Sequence, residues 1–69
     1  MSFAAYDIEA WRAALAMIRH YGPHALPRAL ARIDELRESE DVIGTTTWAL
    51  IAGAIMELTR ERRESEPLN

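Results

Sequence analysis

The pattern of hydrophobic and polar positions is most unusual between Asp41 and Glu57, where no residue carries a charge. Apolar residues recur there every three or four positions, which is the spacing that lines one side of an α-helix. This stripe consists of Gly44, Trp48, Ile51, Ile55 and Leu58, with Thr47 beside it. The opposite side is also small or apolar, and it consists of Val42, Thr46, Ala49, Gly53 and Met56, flanked by Leu50 and Ala54. The pattern therefore predicts a helix with two apolar faces, which Ser39 or Asp41 can cap.

A first amphipathic helix is predicted to begin at Asp7, whose carboxylate can accept hydrogen bonds from the free N–H groups of the first turn. Tyr6 and Trp11 stand at the positions of a hydrophobic staple. The apolar stripe of this helix is Ile8, Trp11, Leu15 and Ile18, supported by Ala14 and Met17. Gly22 tolerates a left-handed conformation and Pro23 cannot continue the helix, so we expect the chain to turn at these two residues.

A second helix is predicted to begin between Pro23 and Pro27, because proline is tolerated in the first turn of a helix. Its narrow apolar stripe consists of Leu26, Ala29, Leu30, Ile33 and Leu36. The opposite side is charged, and Arg32 can pair with Glu35 three residues later. The spacing therefore predicts a helix with one buried side and one solvated side.

These elements predict an all-α fold, a compact three-helix bundle with Trp11 and Trp48 in its core, and they leave a dimer open. Residues 1–60 are expected to form a single domain. Residues 61–69 are expected to form a solvated C-terminal tail, because they are strongly charged and Pro67 prevents a helix from reaching the end. A bundle of this size is marginally stable on its own, so a partner surface would add to its stability.

Composition narrows the function classes further. The chain has 11 acidic side chains against 8 basic ones, all of which are Arg, and its net charge is -3. An acidic chain is a poor candidate for binding the phosphate backbone of nucleic acid. The absence of cysteine excludes disulfides and thiolate zinc sites, and the N-terminus lacks the features of a secretory signal. We therefore expect a cytoplasmic protein.

Short motifs in the predicted helices also carry a resemblance. They are Tyr21-Gly22, Arg32-Ile33, Glu35-Leu36, Asp41, Gly44, Thr47-Trp48, Ile51, Ala54-Ile55 and Glu57-Leu58. Together they resemble a family of short, uncharacterised bacterial helical proteins with a Gly-x-x-Thr-Trp segment that opens the last helix. The chain departs from that pattern at Tyr21, where the family has His. The resemblance implies a single helical domain and no catalytic residue, because no function is known for the family.

Neither a metal site nor a catalytic site is predicted. His20 and His24 are four residues apart, but Gly22 and Pro23 interrupt the helix between them, and no third His or any Cys is present. Paired carboxylates such as Asp34 and Glu38 are four residues apart on the solvated side of a predicted helix, whereas raising the pKa of a carboxylate for acid-base chemistry requires burial. No serine or threonine stands in a motif that would bring it to a histidine. We therefore expect a non-enzymatic protein without a cofactor.

Two alternatives depend on the last two helices. Joined by a short turn, they could imitate a helix-turn-helix and make the protein a small DNA-associated regulator, with a basic patch formed by Arg12, Arg19, Arg28 and Arg32. However, Val42–Met56 offers only threonines and no cation to base edges. The same stretch spans about 22 Å as a helix, which is short of the ~30 Å hydrocarbon core of a membrane. Nucleic-acid and membrane binding are therefore disfavoured.

Association with another protein, or with a second copy of the chain, is the function that the pattern favours. The predicted interface consists of Val42, Thr46, Ala49, Leu50, Gly53 and Met56. The small residues Ala49 and Gly53 would let another helix approach closely, and an antiparallel pair of third helices would form an isologous dimer. The alternative is that the chain's own helices cover both apolar faces of the third helix.

Overall fold

The computed structural model describes the backbone of residues 5–65 and the side chains of residues 8–60. In chain order the elements are α1 (Ala5–Tyr21), a 3-10 turn (Gly22–His24), α2 (Ala25–Glu38) and α3 (Val42–Ser65). No strand occurs within residues 5–65. The prediction of a compact all-α fold is therefore confirmed.

The arrangement of the helices differs from the expected three-helix bundle. Helical residues continue without a break from Ala5 to Glu38, because the residues that join α1 to α2 themselves form a 3-10 turn. Both α1 and α2 pack against α3, whereas they make few contacts with each other. The fold is thus one bent helical segment that packs along a single long helix.

The start of α1 corrects one prediction. The helix includes Ala5, so Asp7 lies inside its first turns and is not the N-cap. The reason is that Ala5 has a high intrinsic helix propensity, which favours a start earlier than the first apolar stripe residue. The proposed staple involves the side chain of Tyr6, which lies outside the described side chains.

The buried side of α1 agrees only in part with the one predicted. Ala10 and Ala14 are buried, while Ile8 and Leu15 are 53% and 45% exposed. Trp11, Met17 and Ile18 are half-buried against the core. The contact side of α1 is thus centred on Ala10 and Ala14, which leaves Ile8 and Leu15 toward solvent and Trp11 and Ile18 at the edge of the core.

The chain turns between α1 and α2 at Gly22 and Pro23, as predicted. Gly22 has a φ of 55°, in the left-handed region that glycine adopts without steric cost. Pro23 follows in the 3-10 turn, and α2 begins at Ala25, between the two prolines. Of the predicted α2 stripe, Ala29 and Leu36 are buried, but Leu30 is 48% exposed.

The junction of α2 and α3 is built from backbone hydrogen bonds and one side-chain cap. The N–H of Asp41 donates to the carbonyl oxygen of Leu36 (2.9 Å), and the N–H of Glu40 donates to that of Arg37 (3.0 Å). Glu40 has a φ of 61°. These are the features of a Schellman motif, with Glu40 at the left-handed C′ position that usually holds glycine.

Asp41 is the N-cap of α3, as predicted. Its Oδ1 accepts a hydrogen bond from the N–H of Gly44 at 2.8 Å. A Cβ atom at residue 44 would lie 2.7 Å from Oδ2 of Asp41, so the glycine leaves room for the capping carboxylate. Ser39, the other candidate, instead donates its hydroxyl hydrogen to the carbonyl oxygen of Leu36.

The core is small and rich in alanine. Its buried cluster consists of Ala10, Ala14, Ala25, Ala29, Ile51, Ala52, Ala54 and Ile55. Among the described side chains, Ile55 is the largest that is fully buried. The two tryptophans predicted for the core, Trp11 and Trp48, are only half-buried and pack against this cluster, whose small alanine side chains are too few and too short to enclose an indole. The core therefore removes little large apolar surface from water.

Helix α3 extends past residue 60, where the solvated tail was expected to begin. The helix α3 continues to Ser65, so residues 61–65 of the predicted tail are helical. Residues 66–69, including Pro67, lie outside the described residues.

Candidate functional site

The second apolar face of α3 lies on the surface of the molecule. Val42 and Met56 are 75% and 54% exposed, and the residues between them on this face, Thr46, Ala49 and Gly53, are exposed as well. A Cβ atom at Gly53 would meet nothing within 4 Å. Helices α1 and α2 therefore do not cover this face.

The exposed residues follow a regular spacing. Val42, Thr46, Ala49, Gly53 and Met56, here called the α3 seam, are separated alternately by four and three positions. That alternation is the spacing of the contact positions in a coiled coil, where each side chain inserts between four residues of a facing helix. The sequence alone contains this spacing, whereas the exposure of the seam follows only from the structure.

The threonines at the start of α3 use their hydroxyl groups within their own helix. The hydroxyls of Thr45, Thr46 and Thr47 donate to the carbonyl oxygens four residues earlier, at 2.7, 2.9 and 2.9 Å. Because these donors are already satisfied, Thr46 can enter an apolar contact without losing a hydrogen bond. For the same reason these hydroxyls are poorly placed to read base edges.

A groove between α1 and α3 adjoins the seam. It has a volume of about 620 Å³, and its lining is Glu9, Ala10, Ala13, Val42, Ile43, Thr46, Thr47, Leu50 and Ile51. Leu50, a predicted interface residue, is half-buried between this groove and the core. Seam and groove together form one continuous apolar surface, since they share Val42 and Thr46.

Ile43 is the functional candidate that sequence reasoning missed. Its side chain is 81% exposed, more than that of any other large hydrophobic residue described. The available signal was its position seven residues before Leu50, which places the two on one side of α3. Ala10 and Ala13 complete the groove from α1, and no local pattern could have assigned them to it.

The arginines of the proposed basic patch do not act as one group. The guanidinium carbon of Arg28 lies 4.3 Å from the centroid of the Tyr21 ring, a cation–π contact. Arg32 pairs with Glu35 at 3.0 Å, as predicted. Arg12 and Arg19 are exposed on α1. Nearby carboxylate and aromatic partners therefore engage half of the proposed patch.

The residues considered for chemistry lie apart from the apolar surface. Within the part of the chain that the structure describes, no group of three or more His, Cys, Asp or Glu side chains could hold a metal ion. His20 and His24 are exposed near the 3-10 turn. Asp34 and Glu38 are exposed on α2. None of these four side chains lines the seam or the groove.

One stretch of α3 has the length and apolar character of a membrane-spanning helix. It comprises the 19 residues Val42–Arg60, and 22% of its most apolar 18 residues are buried in the fold. The core helix of a soluble protein can have the same length and composition. What distinguishes this helix is the large share of its apolar residues that remains uncovered.

The chain matches no protein-family model, no curated protein and no solved structure. The resemblance to short bacterial helical proteins stays a prediction, and the function has to be inferred from the apolar surface itself.

Proposed function

We propose that the protein is a non-enzymatic, cytoplasmic interaction module that binds another protein, or a second copy of itself, through the α3 seam. The observation that carries this proposal is the exposure of an apolar row at coiled-coil spacing on the helix that also organises the core. A helix bound along the seam would also cover the side of α3 that α1 and α2 leave exposed.

Energetics support a partner at this surface. Full burial of a Val, Ile or Met side chain contributes about 1.5–3 kcal/mol, and Val42, Ile43 and Met56 are each more than half exposed. The buried cluster is composed mostly of alanines, so the apolar surface that these three side chains could still bury is large relative to that of the core. Association would therefore stabilise both the complex and the fold of the chain.

Gly53→Leu tests the proposal directly. In the isolated chain the leucine would meet no neighbour, and replacing glycine inside a helix adds about 0.5–1 kcal/mol of helix stability. In a complex, the same side chain would separate the two helices at the middle of the seam. We expect the variant to be helical and at least as thermostable as a monomer, but to lose the complex.

The matched control is Ala16→Leu, which also introduces a leucine on an exposed helical position but lies on α1, outside the seam and the groove. Sedimentation velocity of both variants and the wild type, with pull-down from host lysate, measures association. Far-UV circular dichroism measures the fold. Unfolding of Gly53→Leu, or complexes equal to those of the control, would contradict the proposal.

Membrane binding is the second candidate, and the apolar stretch Val42–Arg60 favours it. A bilayer would then cover the seam in place of a protein. Against it, the uncharged part spans only about 22 Å, and Asp41 places an acidic side chain directly before its first residue. Flotation with neutral and anionic lipid vesicles separates the two, because the interaction module should remain at the bottom of the gradient.

A further inference from the structure

We propose that the occupant of the α3 seam is the α3 helix of a second copy of the chain, bound antiparallel. This inference rests on the proposed function, namely that the seam is a binding surface. It adds the identity of the partner and the direction of its helix.

The charges at the two ends of the seam support an antiparallel second copy. Exposed Glu40 and Asp41 stand at the N-terminal end, and exposed Arg60 stands at the other, about 28 Å away along the helix. In a parallel pair, Glu40 and Asp41 of one copy would lie beside the same two carboxylates of the other and repel them. In an antiparallel pair, the acidic end of each α3 lies near Arg60 of the other copy, which also pairs with Glu57 of its own helix, and the opposed helix dipoles favour this direction.

The seam itself has a register that fits this arrangement. With the two-fold axis at residue 51, Thr46 lies opposite Met56 of the second copy, and Ala49 lies opposite Gly53. The larger Met56 thus faces the smaller Thr46, and the two smallest residues of the seam face each other near the axis. Val42 then lies beside Arg60, whose aliphatic stem can cover it while the guanidinium stays in water. Ile43 lies at the edge of this contact.

The same features make a lipid surface a poorer occupant. An anionic bilayer attracts basic residues at its surface and repels acidic ones, yet Glu40 and Asp41 directly precede Val42, which is 75% exposed. An antiparallel helix of a second copy instead brings Arg60 near this acidic end and keeps the two acidic ends apart.

Disulfide trapping tests the orientation, because the chain contains no cysteine and each introduced thiol is unique. Thr46→Cys and Met56→Cys are single variants at exposed positions of the seam. In the antiparallel register the two copies of either site are about 15 Å apart along the axis, beyond the reach of a disulfide, whereas site 46 faces site 56.

We expect neither variant alone to form a disulfide-linked dimer above the background of Ala16→Cys under mild oxidation. An equimolar mixture, with one variant carrying a mass tag, should form the mixed dimer at least tenfold above that background. The same samples are examined by sedimentation under reducing conditions to measure association separately.

The remaining outcomes overturn the inference in distinguishable ways. Self-linked dimers of each variant would show a parallel pair, and the seam would still be a binding surface. Dimers by sedimentation without any disulfide would place the contact elsewhere and contradict the proposed function too. Monomers at all concentrations would exclude a second copy, and the proposed function would then depend on the Gly53→Leu pull-down.

Discussion

The left-handed residue at the end of α2 offers a sharp test of the fold on which the seam depends. Glu40 has a φ of 61° and is exposed, in a position that glycine usually occupies. For an L-residue this conformation costs about 1–2 kcal/mol. Replacement by glycine removes that cost. Glycine also gives the unfolded chain more conformational freedom, which reduces the gain in stability by about 0.5–1 kcal/mol.

We therefore expect Glu40→Gly to raise the free energy of unfolding by about 0.5–1 kcal/mol. For a domain of this size the corresponding increase in Tm is about 2–8 °C. Thermal and urea unfolding, followed by circular dichroism, measure both quantities. The Gly53→Leu background removes any contribution from association.

The matched control is Glu38→Gly, the same substitution at the last residue of α2, where the backbone is helical. There glycine should lower the free energy of unfolding by about 0.5–1 kcal/mol. The two changes thus have opposite signs although they lie two residues apart. Equal destabilisation by both would refute the left-handed conformation of Glu40 and the Schellman junction built on it.

Two further predictions concern the capping and the packing of α3. Asp41→Ala should lower the free energy of unfolding by about 1 kcal/mol, because the N–H of residue 44 loses its carboxylate, and Asp41→Asn should restore most of it in the same urea titration. Ala14→Leu should destabilise the fold by about 1–3 kcal/mol, since residue 14 is 0% exposed, while Leu15→Ala should change it by about 0.5 kcal/mol. If Leu15→Ala were the more harmful of the two in thermal unfolding, the orientation of α1 would be wrong.

Much of the local structure could be predicted because its causes are local. The turn at Gly22 and Pro23 follows from their backbone preferences, and the cap at Asp41 follows from the hydrogen bond its side chain can make. The pair between Arg32 and Glu35 follows from their spacing on one helix. Each of these features depends on residues within a few positions in the chain.

The parts that could not be predicted depend on the approach of distant segments. Where α1 contacts α3, Ala10 and Ala14 are buried and Leu15 is exposed. This choice depends on how the two helices pack against each other, which the periodicity of one helix does not determine. Similarly, Glu40 carries no signal for a left-handed conformation, and the junction imposes it. The residues of the predicted interface were identifiable as a second apolar face, but only the packed structure places that face on the surface.

In the proposed dimer, the α3 seam is open in the single chain and becomes covered when a second copy binds. Thiol labelling of an Ala49→Cys variant under reducing conditions measures this directly, with Ala16→Cys as the exposed reference. We predict that the two thiols react at similar rates at the lowest protein concentration, and that only the thiol at residue 49 becomes protected as the concentration rises. Slow labelling of residue 49 in the dilute monomer would show that the chain covers its own seam, and it would contradict the proposal that the seam is a binding surface.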